Sequence, residues 1–322
     1  MTAICRSVQH FAVRCLFTSA VVIALQSVGL AQQGGSREIV SGDFTKSRPT
    51  ADATRVERNA QRQGASSSKA RPGKKKPGPR RYRLASPASP KPLRPSGETI
   101  IEQLGITLWR LRPAKASDKR ARTLVMEDAT GSAWVPERIE ADTPLREGDR
   151  VRLSIESPRA GYLYVVDRDL FDGTMGDAML IFPTLRTRGG DNQVRAGKLI
   201  EIPAQEDTPN YFTANPSRSD QVGELLTVIV TTSPLDLPIT NKPMQISVSK
   251  IAKLEKLWAS EAERFEMVGG AGQTWTDKEK QAAASKGARQ LTQDGPAPQT
   301  IYRVSTVNNS AFLVNVHLRY RR

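Results

Sequence analysis

Cysteine and histidine are almost missing from this 322-residue chain, with two of each. Both cysteines, Cys5 and Cys15, and one histidine, His10, fall within the first 31 residues, so His317 is the only histidine beyond them. Acidic residues are absent from those 31 positions too. What remains there has three parts: a short segment with Arg6 and Arg14, an apolar stretch from Cys15 to Ala31, and small residues at Gly29 and Ala31. That order predicts a cleavable secretory signal peptide with cleavage after Ala31. The other reading, a retained membrane anchor, wants about 20 predominantly apolar residues. Here the apolar stretch is 17 residues long and is interrupted by Ser19, Gln26 and Ser27. Cys15 follows Arg14, which does not suit lipid attachment.

Removal of the signal narrows the chemistry. A mature chain without cysteine has no disulfide, no thiolate metal site and no cysteine nucleophile, and a solitary histidine builds no His-paired triad. Such a chain must hold together through its apolar core, for which the roughly 225 residues after position 97 suffice.

Positive charge is abundant but confined. The net charge of +15 is carried mainly by residues 32–97, which hold 16 Lys and Arg, four acids and eight prolines, while residues 98–322 are close to neutral. Large apolar residues are too few in 32–97 to offset chain entropy, so a disordered, extended, basic Pro-rich linker is expected. Its densest block contains Arg71, Lys74, Lys75, Lys76, Arg80, Arg81 and Arg83. In an exported protein this block would contact an envelope polyanion, with no nucleic acid expected. A membrane would be met only through an uncleaved signal or surface charge, at about 1 kcal/mol per basic residue near an anionic surface. The plainer alternative is a solvated spacer.

From position 98 the texture is mainly β. Short apolar runs alternate with turn residues at 106–112, 122–127, 151–155, 161–166, 178–183, 198–203 and 225–232. Val151, Leu153 and Ile155 alternate with Arg152 and Ser154, as in a strand with one dry face, and Asp167 to Asp177 reads as a loop. Ile251, Leu254, Trp258, Ala262 and Phe265 recur at helical spacing after Ser249 and before Gly269-Gly270, a helix with its stop. A weaker helix spans 276–291, and Phe312 to Tyr320 alternate as a last strand. The expected fold is an antiparallel β-sandwich or partly closed barrel over 98–245, then a helical extension over 246–322 with its final strand returning to the sheet.

Gly148 to Ser157, Ala160 to Asp167, Asp172-Gly173, Leu180 to Pro183 and Val194 to Pro203 together resemble the domain-of-unknown-function family numbered 4384, over about Trp134 to Leu235. The segment Gly269 to Tyr320 resembles the C-terminal extension of some secreted bacterial members. The resemblance implies a bacterial β-rich accessory domain, sometimes joined to caspase-like peptidase or kinase domains. It implies no catalytic residue and no known ligand, and no cofactor is expected.

Asp167, Asp169 and Asp172 are the calcium candidates, since clustered carboxylates supply hard oxygen ligands. Their spacing fails the EF-hand pattern: Phe171 and Asp172 stand where an acid and a glycine belong, and Ala178 where the closing glutamate belongs. A polar hairpin loop is the competing reading. Ser247 and Lys250 match Ser-x-x-Lys without its Lys-Thr-Gly companion, as do Ser66 and Lys69. Trp109, Trp134 and Trp258 suit the core or its edge, although an exposed indole could stack a sugar. The sequence therefore predicts an exported, non-enzymatic accessory protein that binds an envelope protein or polysaccharide. The alternative is a hydrolase of envelope polymer using carboxylates from 167–177.

Overall fold

The computed structural model describes residues 44–50, 99–120, 126–127, 131–259, 262–284, 289–307 and 311–321. Ala31 and the basic residues Arg71, Lys74, Lys75, Lys76, Arg80, Arg81 and Arg83 lie outside them. So do most of residues 32–97, but not Phe44 to Thr50, which are docked on the folded body. Phe44 and Arg48 are fully buried there, against the expectation that this whole stretch lacks structure.

The described residues are mainly β and form two antiparallel sheets that do not close into a barrel. The first sheet contains β1 (Thr99–Pro113), β2 (Met126–Glu127), β3 (Ala133–Ile139), β4 (Arg150–Glu156), β8 (Leu199–Ile202), β9 (Phe212–Thr213), β12 (Ala262–Glu266) and β13 (Thr300–Val307). Long β1 is its axis, paired with β13 through its first half, with β3 through its second, and with β4 along its other edge. The second sheet contains β5 (Gly161–Phe171), β6 (Ala178–Phe182), β7 (Gln193–Val194), β10 (Gln221–Thr231), β11 (Met244–Ile246) and β14 (Phe312–Arg319). Residues 246–322 thus supply two strands to the first sheet and one to the second, where a single returning strand was expected. Of the run at 122–127, Met126–Glu127 form β2, and residues 122–125 lie outside the described residues.

Alternation places one set of side chains from each sheet into a shared core. Ile106 and Leu108 of β1, Leu153 and Ile155 of β4, Leu163 and Val165 of β5, Val228 and Val230 of β10, and Val314 and Val316 of β14 all belong to it. The outer faces are covered as well. On the second sheet lies α2 (Val248–Trp258), which follows α1 (Ala116–Arg120). Its Ile251 and Leu254 pack on Tyr164, Val166, Ile229 and Leu313. Burial of two such side chains is worth about 1.5–3 kcal/mol each. The helix is capped by Ser247 instead of Ser249 and ends at Trp258. Ala262 and Phe265, expected on its stripe, lie in β12. Gly269 and Gly272 therefore do not stop the helix; they turn the chain after β12 with φ of +71° and +81°.

The first sheet's outer face is a dry polar layer. Arg138, Trp109 and Arg152 sit in one cross-strand row on β3, β1 and β4, with Ser154 paired to Glu201 in the next. Over them lie α3 (Asp277–Ala283) and residues 289–299. Arg152 meets Glu201 at 3.0 Å and Arg138 meets Glu279 at 2.5 Å, all four side chains being nearly inaccessible to water. Glu279 also closes the capping box of α3 by accepting from the Thr276 N–H and hydroxyl, so one carboxylate caps the helix and ties it to the sheet. The Trp109 indole donates to Ser154 Oγ at 2.7 Å, and its ring centroid lies 6.0 Å from that of Trp275. β4 is consequently buried on both faces, whereas its alternation suggested one wet face.

Removing one member of a buried pair strands its partner's charge, which costs about 3–5 kcal/mol, whereas an apolar replacement of both is often neutral. Arg152→Met is therefore expected to lower unfolding free energy in urea by about 3–5 kcal/mol, and Arg152→Met/Glu201→Met to recover most of that loss.

Candidate functional site

The core-facing positions of the second sheet change character along β5. Leu163 and Val165 are apolar, and Asp167 and Asp169 continue the same face. On β10 the register places Leu226 opposite Asp167 and Glu224 opposite Asp169. The apolar core thus ends in three neighbouring carboxyl groups at one end of the sheet. Tyr320, just beyond β14, donates its hydroxyl to Glu224 Oε1. Asp169 is held from both sides: its Oδ1 accepts from Gln221 Nε2 at 2.9 Å and its Oδ2 from Ser217 Oγ at 3.0 Å. Asp167 Oδ1 is buried and accepts no hydrogen bond.

These surroundings set the charge. Burial pushes the Asp167 carboxyl up to about 8, and the neighbouring Glu224 and Asp169 push in the same direction. Glu224 is raised chiefly by burial, which the Tyr320 hydrogen bond opposes. Burial and the Glu224 charge hold the Tyr320 phenol above its ordinary range, which keeps it a donor. Near neutral pH the cluster therefore retains a proton on Asp167.

Asp167 and Asp169 open onto a groove of about 440 Å³, also lined by Phe171, Thr174, Met175, Gly176, Asp177, Met179 and Arg218. Arg218 pairs with Asp220 through two nitrogens, and its guanidinium carbon lies 4.1 Å from the Phe171 ring centroid. Met175 is about half exposed at the rim. The wall is a hairpin, not the open loop expected at 167–177, because β5 runs on to Phe171 and the turn is made at 172–175. There the Phe171 N–H donates to Thr174 O at 2.9 Å, and Gly173 supplies the left-handed position with φ of +81°.

Of the calcium candidates, Asp167 and Asp169 share the groove, while Asp172 is exposed at the hairpin turn, its N–H donating to Asp220 O at 3.2 Å. Among the described residues, no group of three or more His, Cys, Asp or Glu is arranged to hold a metal ion. Ser247 caps α2 by accepting from the Lys250 N–H, and the Lys250 ammonium donates to Asp236 O at 2.5 Å, so hydroxyl and amine serve different structural ends. His317 is on the exposed side of β14, beside a second open depression with Arg319 and Tyr320. Trp109 is buried, Trp258 packs at the edge of the α2 cluster, and Arg150 lies over Trp134 at 4.1 Å. Glu224 and Tyr320 join this cluster without having been candidates from the sequence. Their signal is an acid and a phenol at positions where an apolar alternation should continue.

Residues 144–234 match the model of a family described as Domain of unknown function (DUF4384), the family whose motifs the sequence resembles. The match runs from just before β4 to the end of β10 and so contains the groove, whereas β1, β13 and β14 lie outside it. No curated protein and no solved structure matches the chain. No helix among the described residues is long and apolar enough to cross a membrane.

A carboxyl whose native pKa is raised binds its proton more tightly folded than unfolded. It therefore stabilises the protein below the unfolded value, near 3.8, and loses that contribution as pH rises through about 8. Asp167→Asn keeps the shape without the titration. Thermal melts between pH 4 and 8 should show the wild type losing stability toward pH 8, and the variant a slope flatter by on the order of a few °C.

Proposed function

We propose that this chain is an exported, non-enzymatic binding protein of the bacterial cell envelope, with a β-sandwich body that holds a protein or polysaccharide partner. The observation that carries this reading is the makeup of the groove. Exposed Met175, the Phe171–Arg218 stack and a fixed Asp169 combine apolar contact area with a few oriented polar groups, as recognition sites do. It lies within the residues matched by the family model. The basic leader contacts polyanions. Its residues 51–98 join Thr50 of the docked segment to Thr99 of β1. An uncleaved signal would add a membrane contact.

A second reading, a carboxylate-dependent hydrolase of envelope polymer, is favoured by one observation. Asp167 carries its proton near neutral pH beside a second carboxyl group in an open groove, the separation of roles that acid–base pairs require.

A crosslinked pull-down from envelope material separates them. Binding is expected to fall on the order of tenfold for Asp169→Ala/Arg218→Ala, about the loss of 1.4 kcal/mol at a contact site. Deletion of residues 51–97 should remove only the part of retention that is lost at high salt. Soluble fragments released by the wild type and not by Asp167→Asn would instead establish the hydrolase.

A further inference from the structure

The segment Phe44 to Thr50 joins neither sheet, yet it fills a site built for it. Phe44 packs against Ile301 and Phe265. Arg48 gives two parallel hydrogen bonds to Glu156, Nε to Oε1 and Nη2 to Oε2, each 2.7 Å, with both side chains out of water. Its remaining donors reach the carbonyls of Gly295 at 3.1 Å and Pro296 at 3.0 Å. The backbone is read too. The Gln293 N–H donates to Pro49 O at 3.2 Å, and the Gln293 side chain donates to the carbonyls of Lys46 and Arg48.

The body is shaped to receive these residues. Gly105 interrupts the apolar alternation of β1, and a Cβ there would stand 2.6 Å from Phe44 Cζ. A glycine inside a strand marks a place where another chain or ligand approaches closely. Gly197, at φ of +78°, is required first by the Leu291 carbonyl, 2.4 Å from where its Cβ would stand, and Pro49 packs beside it at 3.3 Å. The Gly197 N–H holds the second lone pair of Glu156 Oε1 at 3.2 Å. Phe44 and Arg48 come from one turn, closed by Arg48 N–H to Thr45 O at 3.0 Å, while Lys46 and Ser47 face outward.

We propose that the cleft between β1, β4 and residues 289–299 is a peptide-binding site for a short segment with an aromatic residue and an arginine four positions later, followed by proline. Phe44 to Thr50 is its built-in occupant. The occupant belongs to neither ladder: both sheets are complete without it, and residues 51–98 join it covalently to β1. A tethered ligand outcompetes a free one through its high effective concentration, so the cleft accepts an outside peptide only when the tethered one is disabled.

The probe is a fluorescent peptide of residues 41–53, added to the full chain. Phe44→Ala/Arg48→Ala protein should bind it saturably and about 100-fold more tightly than the wild type does. The same peptide carrying Arg48→Ala should not bind. A folded double variant that fails to bind, or that binds no better than the wild type, overturns the proposal. Should the double variant not fold, the wild-type segment can be tested by inserting a protease site between residues 68 and 69 and cutting the tether. Release of the N-terminal piece on dilution, with circular dichroism of the body unchanged, supports the site. Unfolding of the body on release, or no release at nanomolar concentration, marks the segment as core and overturns it.

Discussion

Charges removed from water must be matched where they lie, and on the first sheet's outer face three arginines meet three glutamates. Arg152 with Glu201, Arg138 with Glu279 and Arg48 with Glu156 carry the layer that joins this sheet to everything above it. Each pair links parts of the chain that no local preference would bring together. Glu279 fixes α3, Glu201 fixes β8 against β4, and Glu156 fixes the leader. Burial works against these charges, pushing Glu201 up to about 7 although Arg152 pulls it down, so each charge depends on its partner staying in place. Trp109 and Trp275 fill the space between the guanidinium groups and keep water from replacing either partner.

The second sheet spends its polar residues differently. Its outer face is closed by an ordinary apolar helix, with Arg168 bridging to Glu255 on α2. Its polar residues are gathered at the end of the inner face, where Asp167, Asp169 and Glu224 meet the groove. The two sheets therefore divide the work. The first builds a rigid polar seal that anchors chain segments, and the second offers a partly solvated acidic edge whose charge depends on pH.

Most of the strands were legible because apolar alternation is a local property. β5, β6, β8, β10 and β14 all fall on runs that the sequence displays, and the Leu254 stripe marks α2. Three things were hidden, each for a physical reason. Arg152, Ser154 and Glu156 look like a wet face because their partners are 41 or more positions away, and pairing at that distance leaves no periodic trace. Asp167 and Asp169 look like loop residues because two acids and an arginine oppose strand propensity, yet the ladder to β10 carries the strand through them. The leader's composition argues against order, and composition cannot show that Phe44 and Arg48 find a cleft with the room left by Gly105 and the carboxylate of Glu156. In the site itself the candidate carboxylates were legible. Their grouping with Glu224 and Tyr320 was not, since it arises from register between strands.

The leader is clasped to the body through Arg48 and Glu156, and site-resolved hydrogen exchange on the intact chain tests this clasp most directly. The amides of Gln293 and Gly197, which donate to Pro49 O and Glu156 Oε1, should be protected in the wild type. In Arg48→Ala both should exchange faster, while the amides between β5 and β10 keep their protection. Unprotected exchange at Gln293 in the wild-type chain would contradict the clasp.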